Sequence, residues 1–314
     1  MDSITRWSPG DYLTDQAETG RPRFALVILN QPIVDVEGFT KLWNNASLRV
    51  CADGGANHLF TFRVDGDIPI PDCITGDLDS LESKVGNYYR SLGVPIVPDR
   101  SQYATDFTKS LNWIAKQERL HVPNEDIATA SDDDDDDTNG ESEVNDQATK
   151  NGGINDYPLD VVAYGATGGR VDQVFHAIDQ LFQASQNLNR QGQNDNNEMN
   201  TSSSASSATS PSPPRTNSRG ERRSLTLMSD ESVTFLLEKG KNLIETPLRL
   251  FGKTCGLIPV AGRSVITTTG LEWDLNETET KFGGMVSTSN HLVKERVEVE
   301  TTELLLFTME IRKS

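Results

Sequence analysis

The sequence is short of the features that would place it in a membrane or an oxidising compartment. Its three cysteines, Cys51, Cys73 and Cys255, are far apart, odd in number and form no Cys-x-x-Cys pair. That argues against a disulfide framework and a structural zinc, and for a reducing, cytoplasmic setting. No apolar run approaches the roughly 20 residues of a membrane span. The first 23 residues read as a polar tail, with neither the apolar stretch of a signal peptide nor the basic amphipathic pattern of a transit peptide. Cationic residues are outnumbered, 29 Lys and Arg against 47 Asp and Glu, for a formal charge of −18. This is the reverse of the basic footprint that nucleic-acid binding needs. Apolar residues make up only 35%, below the usual globular share, so part of the chain is expected not to fold.

The excess acid is local. Residues 121–157 hold 12 Asp and Glu against one Lys, including six consecutive aspartates from Asp132 to Asp137. Such a block cannot bury enough apolar surface to offset chain entropy, and it reads as a disordered insert. A second segment, 186–223, is rich in Asn, Gln, Ser and Pro without periodicity and reads as a disordered loop with Ser-Pro sites at Ser210 and Ser212.

Between these segments lies an α/β pattern. Phe24–Leu29, Leu48–Ala52, Asp72–Thr75, Val94–Val97 and Leu159–Tyr164 are short apolar runs, the signature of strands in a parallel sheet buried on both faces. Helical spacing separates them, with Phe39, Leu42 and Trp43 in the first helix and Phe107, Leu111 and Ile114 in a later one. A last helix carries Val171, Val174, Phe175, Ile178, Leu181 and Phe182 as its expected apolar stripe, which puts Asp172, His176 and Asp179 on the opposite face. From Leu225 onward the texture turns to short alternating runs broken by glycine, an all-β signature. The expected fold is an open parallel Rossmann-like sheet over 24–185 followed by a small β sandwich over 224–314.

Acidic or glycine-rich turns follow the strands. They are Asp53-Gly54-Gly55-Ala56-Asn57, Gly76-Asp77-Leu78-Asp79-Ser80, Thr105-Asp106 and Gly165 through Asp172. In an extended segment Asp77 and Asp79 point the same way and can share one hard cation such as Mg²⁺. Each turn also has a plainer reading: tight-turn glycines, a helix cap at Asp79 or Ser80, or Asp106 favoured by a helix dipole. Together they gather five carboxylates, Asp53, Asp77, Asp79, Asp106 and Asp172, along one sheet edge, where mutual repulsion calls for a cation. The glycine turn with Arg170 suits phosphate.

These motifs, with Gln102, Thr105 through Lys109, Thr269-Gly270-Leu271-Glu272-Trp273 and Val286 through Asn290, resemble the thiamin pyrophosphokinases over nearly all of the chain outside the tail and inserts. Two departures stand out: Ser101 and Tyr103 replace acidic residues flanking Gln102, and Gln173 replaces a histidine. The resemblance implies Mg²⁺-dependent transfer of pyrophosphate from ATP to the hydroxyl of thiamin, giving thiamin diphosphate and AMP. It implies Asp77, Asp79 and Asp106 as metal ligands, with Asp53 and Asp172 left for a second metal or for orienting and deprotonating the hydroxyl. ATP and phosphate contacts are implied at Gly54, Gly55, Asn57, Thr105, Lys109, Gly168, Gly169 and Arg170. Thiamin contacts are implied at Gln102, Thr267, Trp273, Ser287, Ser289 and Asn290, in a homodimer whose sites lie between subunits. The alternatives are a Mg²⁺-dependent phosphoryl or nucleotidyl transferase with another alcohol acceptor, and a non-enzymatic acidic interaction scaffold.

Overall fold

The structure, a computed structural model, describes residues 4–14, 23–64, 66–101, 103–120, 159–201 and 224–313. The expected insert at 121–157 lies outside them. In chain order the elements of the first half are β1 (Ile4–Trp7), β2 (Phe24–Ile28), α1 (Val36–Asn45), β3 (Leu48–Ala52), α2 (Gly55–Thr61), β4 (Cys73–Gly76), α3 (Ser83–Ser91), β5 (Ile96–Pro98), α4 (Asp106–Leu120), β6 (Asp160–Tyr164) and α5 (Val171–Thr201). The second half holds β7 (Leu225–Met228), β8 (Ser232–Leu237), β9 (Gly240–Glu245), β10 (Phe251–Ile258), β11 (Ser264–Thr269), β12 (Thr278–Thr280), β13 (Ser287–His291), β14 (Arg296–Thr301) and β15 (Leu305–Ile311).

A ten-stranded sheet runs β13-β10-β15-β8-β7-β6-β2-β3-β4-β5, and a five-stranded sheet runs β1-β9-β14-β11-β12. From β5 to β7 every pairing is parallel, and from β7 to β13 every pairing is antiparallel. The five residues of β2 are all fully buried because the sheet is covered on both sides. Phe24, Leu26 and Ile28 join a core with Phe39 and Leu42 of α1, Leu59 of α2 and Tyr89 of α3. Ala25 and Val27 face Phe107 and Ile114 of α4 and Ala177 and Leu181 of α5. This doubly wound arrangement is the expected α/β architecture. The first core continues through Phe235, Phe251 and Phe307 to Ile244, Ile266 and Val297 of the smaller sheet, forming the expected β sandwich.

Four details differ from the sequence reading. The large sheet crosses the boundary expected at residue 224, because β7 pairs parallel with β6 before the antiparallel strands begin. The N-terminal segment is not merely a tail: β1 pairs parallel with β9. Trp7 stacks on Phe235 at 4.9 Å, and its indole N–H donates to Asn242 at 3.0 Å. Four residues are too few for periodicity to reveal such a strand. Third, α5 runs on to Thr201 across the expected start of the second loop at 186, while 202–223 fall outside the described residues. Last, Val171 and Phe175 are 68% and 65% exposed. The first turn of α5 overhangs a cleft instead of lying on the sheet, so only the part from Ala177 onward buries a face.

Candidate functional site

Strand order reverses beside β2, since the chain moves from β2 outward to β5 and then returns to pair β6 on the other side. Loops at the carboxyl ends of strands on either side of such a reversal diverge and leave a crevice. Here it is a cleft of about 390 Å³ lined by Asn30 and Gln31 after β2, Asp53 after β3, Asp77 after β4, Asp106 at the start of α4, and Gly165, Ala166, Gly168 and Arg170 after β6.

At its floor Asp53, Asp77 and Asp106 each bring a carboxylate oxygen to within 4.8 Å of the others. Asp53 reaches inward because its backbone is left-handed, φ 43°, a conformation Asp and Asn tolerate better than most residues. The Ser80 N–H donates to its Oδ2 at 3.0 Å, whereas its Oδ1 is buried without a partner. Burial raises the Asp53 pKa, and the charges of Asp106 and Asp77 add to the rise, against the lowering effect of Ser80. The Asp77 N–H donates to Asp106 Oδ1 at 3.0 Å.

Lys109 is the cation within this group. Its side chain is 1% exposed, and Nζ lies 3.1 Å from Asp106 and 3.4 Å from Asp77. Desolvation lowers its pKa, but the two carboxylates outweigh that and hold the ammonium above its ordinary value. Without ligand, the residue expected to contact phosphate is paired with these two carboxylates. Three carboxylates against one ammonium leave two negative charges, the charge balanced by one divalent cation.

Two expected members stand outside this trio. Asp79 is exposed. Leu78 takes φ 66°, and the Asp79 N–H donates to Asp77 Oδ1 at 3.2 Å, so the segment is a turn and the alternation of an extended strand does not apply. Asp172 grips Arg170 in a two-pronged pair at 3.1 and 2.5 Å, with both side chains mostly exposed. That pairing, led by the side-chain hydrogen bonds, lowers the Asp172 pKa.

Other expected residues brace the walls. A Cβ on Gly55 would stand 2.2 Å from the Ile28 carbonyl oxygen, so glycine lets α2 pack against β2 and aim Asp53, while Gly54 lines the cleft beside Asn30. Asn57 donates to the Ser80 carbonyl at 2.8 Å and accepts from the Glu82 N–H at 3.0 Å, fixing the loop that carries Asp77. Thr105 caps α4 through the Thr108 N–H. Its hydroxyl also meets His176 Nε2 at 2.6 Å, and burial lowers the histidine pKa. His176 thus lines the cleft and bonds to the start of α4, where the helical arithmetic put it on an outer face. Gln102 lies outside the described residues.

The β-half residues form a separate cluster. Trp273, 52% exposed, has its backbone clamped by Asn290, whose Oδ1 accepts from the Trp273 N–H at 3.2 Å and whose Nδ2 donates to the Trp273 carbonyl at 2.9 Å. Its ring lies 4.7 Å from that of His291, which in turn meets Glu272 at 2.5 Å. Buried Ser287 adjoins Asn290, Ser289 is exposed with φ 58°, and the Thr267 hydroxyl accepts from the Glu277 N–H. No described lining residue of the cleft comes from this half.

Sequence reasoning missed Asn30 and Gln31. A polar pair directly after the central strand and before Pro32 was the available signal, and it becomes meaningful only once strand order is known.

The chain matches the family models for the thiamin pyrophosphokinase catalytic domain over residues 39–191 and the thiamin pyrophosphokinase vitamin B1 binding domain over 241–306. It is 31% identical to thiamine pyrophosphokinase 1 of Arabidopsis thaliana, with 96% of this chain and 90% of that protein covered. It is 30% identical to thiamine pyrophosphokinase of Saccharomyces cerevisiae, over 91% and 85%. The solved thiamin pyrophosphokinase from Candida albicans superposes with a TM-score of 0.70 at 26% identity, over 99% of this chain and 94% of that one.

Proposed function

The chain belongs to the thiamin pyrophosphokinase family, and from that premise we propose how this site carries out the transfer of pyrophosphate from ATP to thiamin. The thiamin hydroxyl oxygen bonds to the β-phosphorus, the bond from that phosphorus to the α-bridging oxygen breaks, AMP leaves, and the hydroxyl proton passes to a base. Little of this is chemistry the protein performs itself. Positioning and charge compensation carry phosphoryl transfer.

The observation that carries the reading is the trio of Asp53, Asp77 and Asp106 with the Lys109 ammonium beside it. The donor set fits Mg²⁺, which prefers hard oxygens and few protein carboxylates beside substrate phosphates. A buried acceptor without a partner costs about 1–3 kcal/mol, and a cation beside Asp53 Oδ1 would remove that cost. When bound, such an ion offsets the polyphosphate charge and polarises its oxygens. Lys109 holds Asp77 and Asp106 against their mutual repulsion, and Asn57 holds the loop between β4 and α3. Asp79, exposed beside the trio, and the Gly168-Gly169-Arg170 turn face the polyphosphate from the open side. Asp172 orients Arg170 and is not a ligand of the trio's cation.

Thiamin is met by Trp273, whose aromatic face attracts a cationic ring, with Thr267, Ser287, Ser289 and Asn290 around it. No described lining residue of the cleft comes from the β half, while Trp273, Phe282, Met285 and Val293 are exposed apolar side chains in that half. Both facts favour a homodimer in which one subunit's Trp273 completes its partner's cleft. No helix among the described residues is long and apolar enough to cross a membrane. Three free, buried thiols accord with the cytoplasm as the place of the reaction.

The test is an end-point assay with Mg²⁺, ATP and thiamin that scores AMP against ADP. Thiamin-dependent AMP in equal amount to thiamin diphosphate is the expected result, and ADP as the product would overturn the pyrophosphoryl reading.

A further inference from the structure

The glycine-rich turn after β6 is already occupied from within the chain. A Cβ on Gly165 would lie 3.0 Å from Gln31 Cβ, one on Gly168 3.5 Å from Gln31 Oε1, and one on Gly169 2.3 Å from Gln31 Nε2. Gln31 therefore runs along the turn with its carboxamide over Gly168 and Gly169. Gly169 is left-handed at φ 71°, so it needs glycine for conformation as well as for space.

Two anchors hold this arrangement, one from the end of β7 and one from the turn that follows it. The Met228 carbonyl accepts from the N–H groups of Gly165 and Ala166 at 2.8 and 3.3 Å. Asp230 Oδ1 accepts from the N–H groups of Val34 and Asp35 at 3.2 and 2.9 Å and from the Tyr164 hydroxyl. The Gln31 loop on one wall and the glycine turn on the other are thus tied to one short segment. Within the cleft the Gln31 carboxamide has no hydrogen-bond partner among the described residues. Arg170, the obvious anion contact of this turn, has its guanidinium engaged by Asp172.

We propose that Gln31 binds the polyphosphate of the nucleotide, its Nε2–H donating to a phosphate oxygen from the surface of the glycine turn, and that Asp230 is the positioning residue that holds it there. The proposal rests on the reading of the cleft as the ATP site. It changes the job of the turn: Gly165, Gly168 and Gly169 are small so that a side-chain amide can lie on them and present a donor to the ligand.

The test is calorimetric titration of a non-hydrolysable ATP analogue with Mg²⁺, alongside KM for ATP and for thiamin. Gln31→Met keeps the length that packs on the turn and removes the amide. It should weaken analogue binding about tenfold or more, the scale of one hydrogen bond to a charged group, with the thiamin KM unmoved. Gln31→Glu is also isosteric and should be weaker still, because a carboxylate repels phosphate. Asp230→Asn keeps an acceptor and should bind as wild type, whereas Asp230→Ala should weaken the analogue and lose its effect in the Gln31→Met background. Wild-type binding matched by Gln31→Met would overturn this inference and leave the ATP site standing. Gln31→Glu no weaker than Gln31→Met would overturn the phosphate assignment. A wild-type protein that does not bind the analogue would overturn both readings.

Discussion

Replacing Asp53 by Asn should stabilise the metal-free protein while removing its activity. Asp53 pays twice in the fold. Its Oδ1 is buried without a partner, a cost of about 1–3 kcal/mol, and its charge faces Asp77 and Asp106. Asn keeps the left-handed backbone at φ 43° accessible, and its oxygen can still accept from the Ser80 N–H. Its Nδ2 then turns toward the trio as a donor to carboxylates, and a hydrogen bond to a charged group is worth about 1.5–3 kcal/mol. Against this, the Ser80 bond loses its charge assistance, roughly half its strength. A net gain of about 1–3 kcal/mol follows, which at about 2–4 °C per kcal/mol for a protein of this size raises the Tm by about 2–12 °C. Scanning calorimetry in EDTA measures it. Burial holds the folded pKa of Asp53 above the ordinary carboxylate value, so its penalty is present above the folded pKa and is relieved as pH falls through it. The Tm gap between variant and wild type should therefore close as pH drops from neutral toward the ordinary carboxylate range. With Mg²⁺ the order should reverse, since the wild type gains a bound ion and the variant has lost a ligand charge. A variant less stable than wild type in EDTA, or one that keeps the full Mg²⁺-dependent rise, would refute the reasoning.

Further predictions follow from the same geometry. Asp77→Asn and Asp106→Asn should each lose both turnover and the Mg²⁺-dependent rise in Tm without nucleotide, whereas Asp79→Asn should keep that rise, because its carboxylate lies outside the trio; calorimetry with and without Mg²⁺ separates them. Trp273→Ala should raise the thiamin KM several-fold and leave analogue binding unchanged, a cation–π contact being worth about 0.5–2 kcal/mol. Asn290→Ala should reproduce that thiamin effect without touching the ring, since it frees the Trp273 backbone; an unchanged thiamin KM would assign Asn290 to stability alone. Mixed Trp273→Ala and Asp77→Asn subunits should regain activity in heterodimers, and confirmed subunit exchange without recovery would show that Trp273 does not serve a partner's cleft.

What could be read from the sequence was what is local. Phe24–Ile28 was legible as a strand because a segment buried on both faces writes itself as an unbroken apolar run. The acids after β3 and β4 were legible because turns that follow successive strands of a parallel sheet gather at one edge, where several carboxylates together ask for a cation. Pairing Asp77 with Asp79 went beyond that, for it assumed an extended backbone where Leu78 turns left-handed. Gln31 was illegible for a different reason: nothing near Pro32 says that β6, which begins only at Asp160, will pair beside β2 and lay its glycine turn against that side chain. Lys109 is the intermediate case. Asp106 and Lys109 are three apart on α4, a spacing that puts their side chains side by side, so the ion pair itself was there to be seen. On an exposed helix such a pair is worth a few tenths of a kcal/mol, and an ammonium near a phosphate site is more naturally given to the substrate. Burial adds a second partner set that spacing along the helix does not show, because the lysine side chain, 1% exposed, lies between the carboxylates of Asp106 and Asp77. In the unliganded site its charge offsets one of the three carboxylates, which leaves two negative charges for a divalent cation to balance.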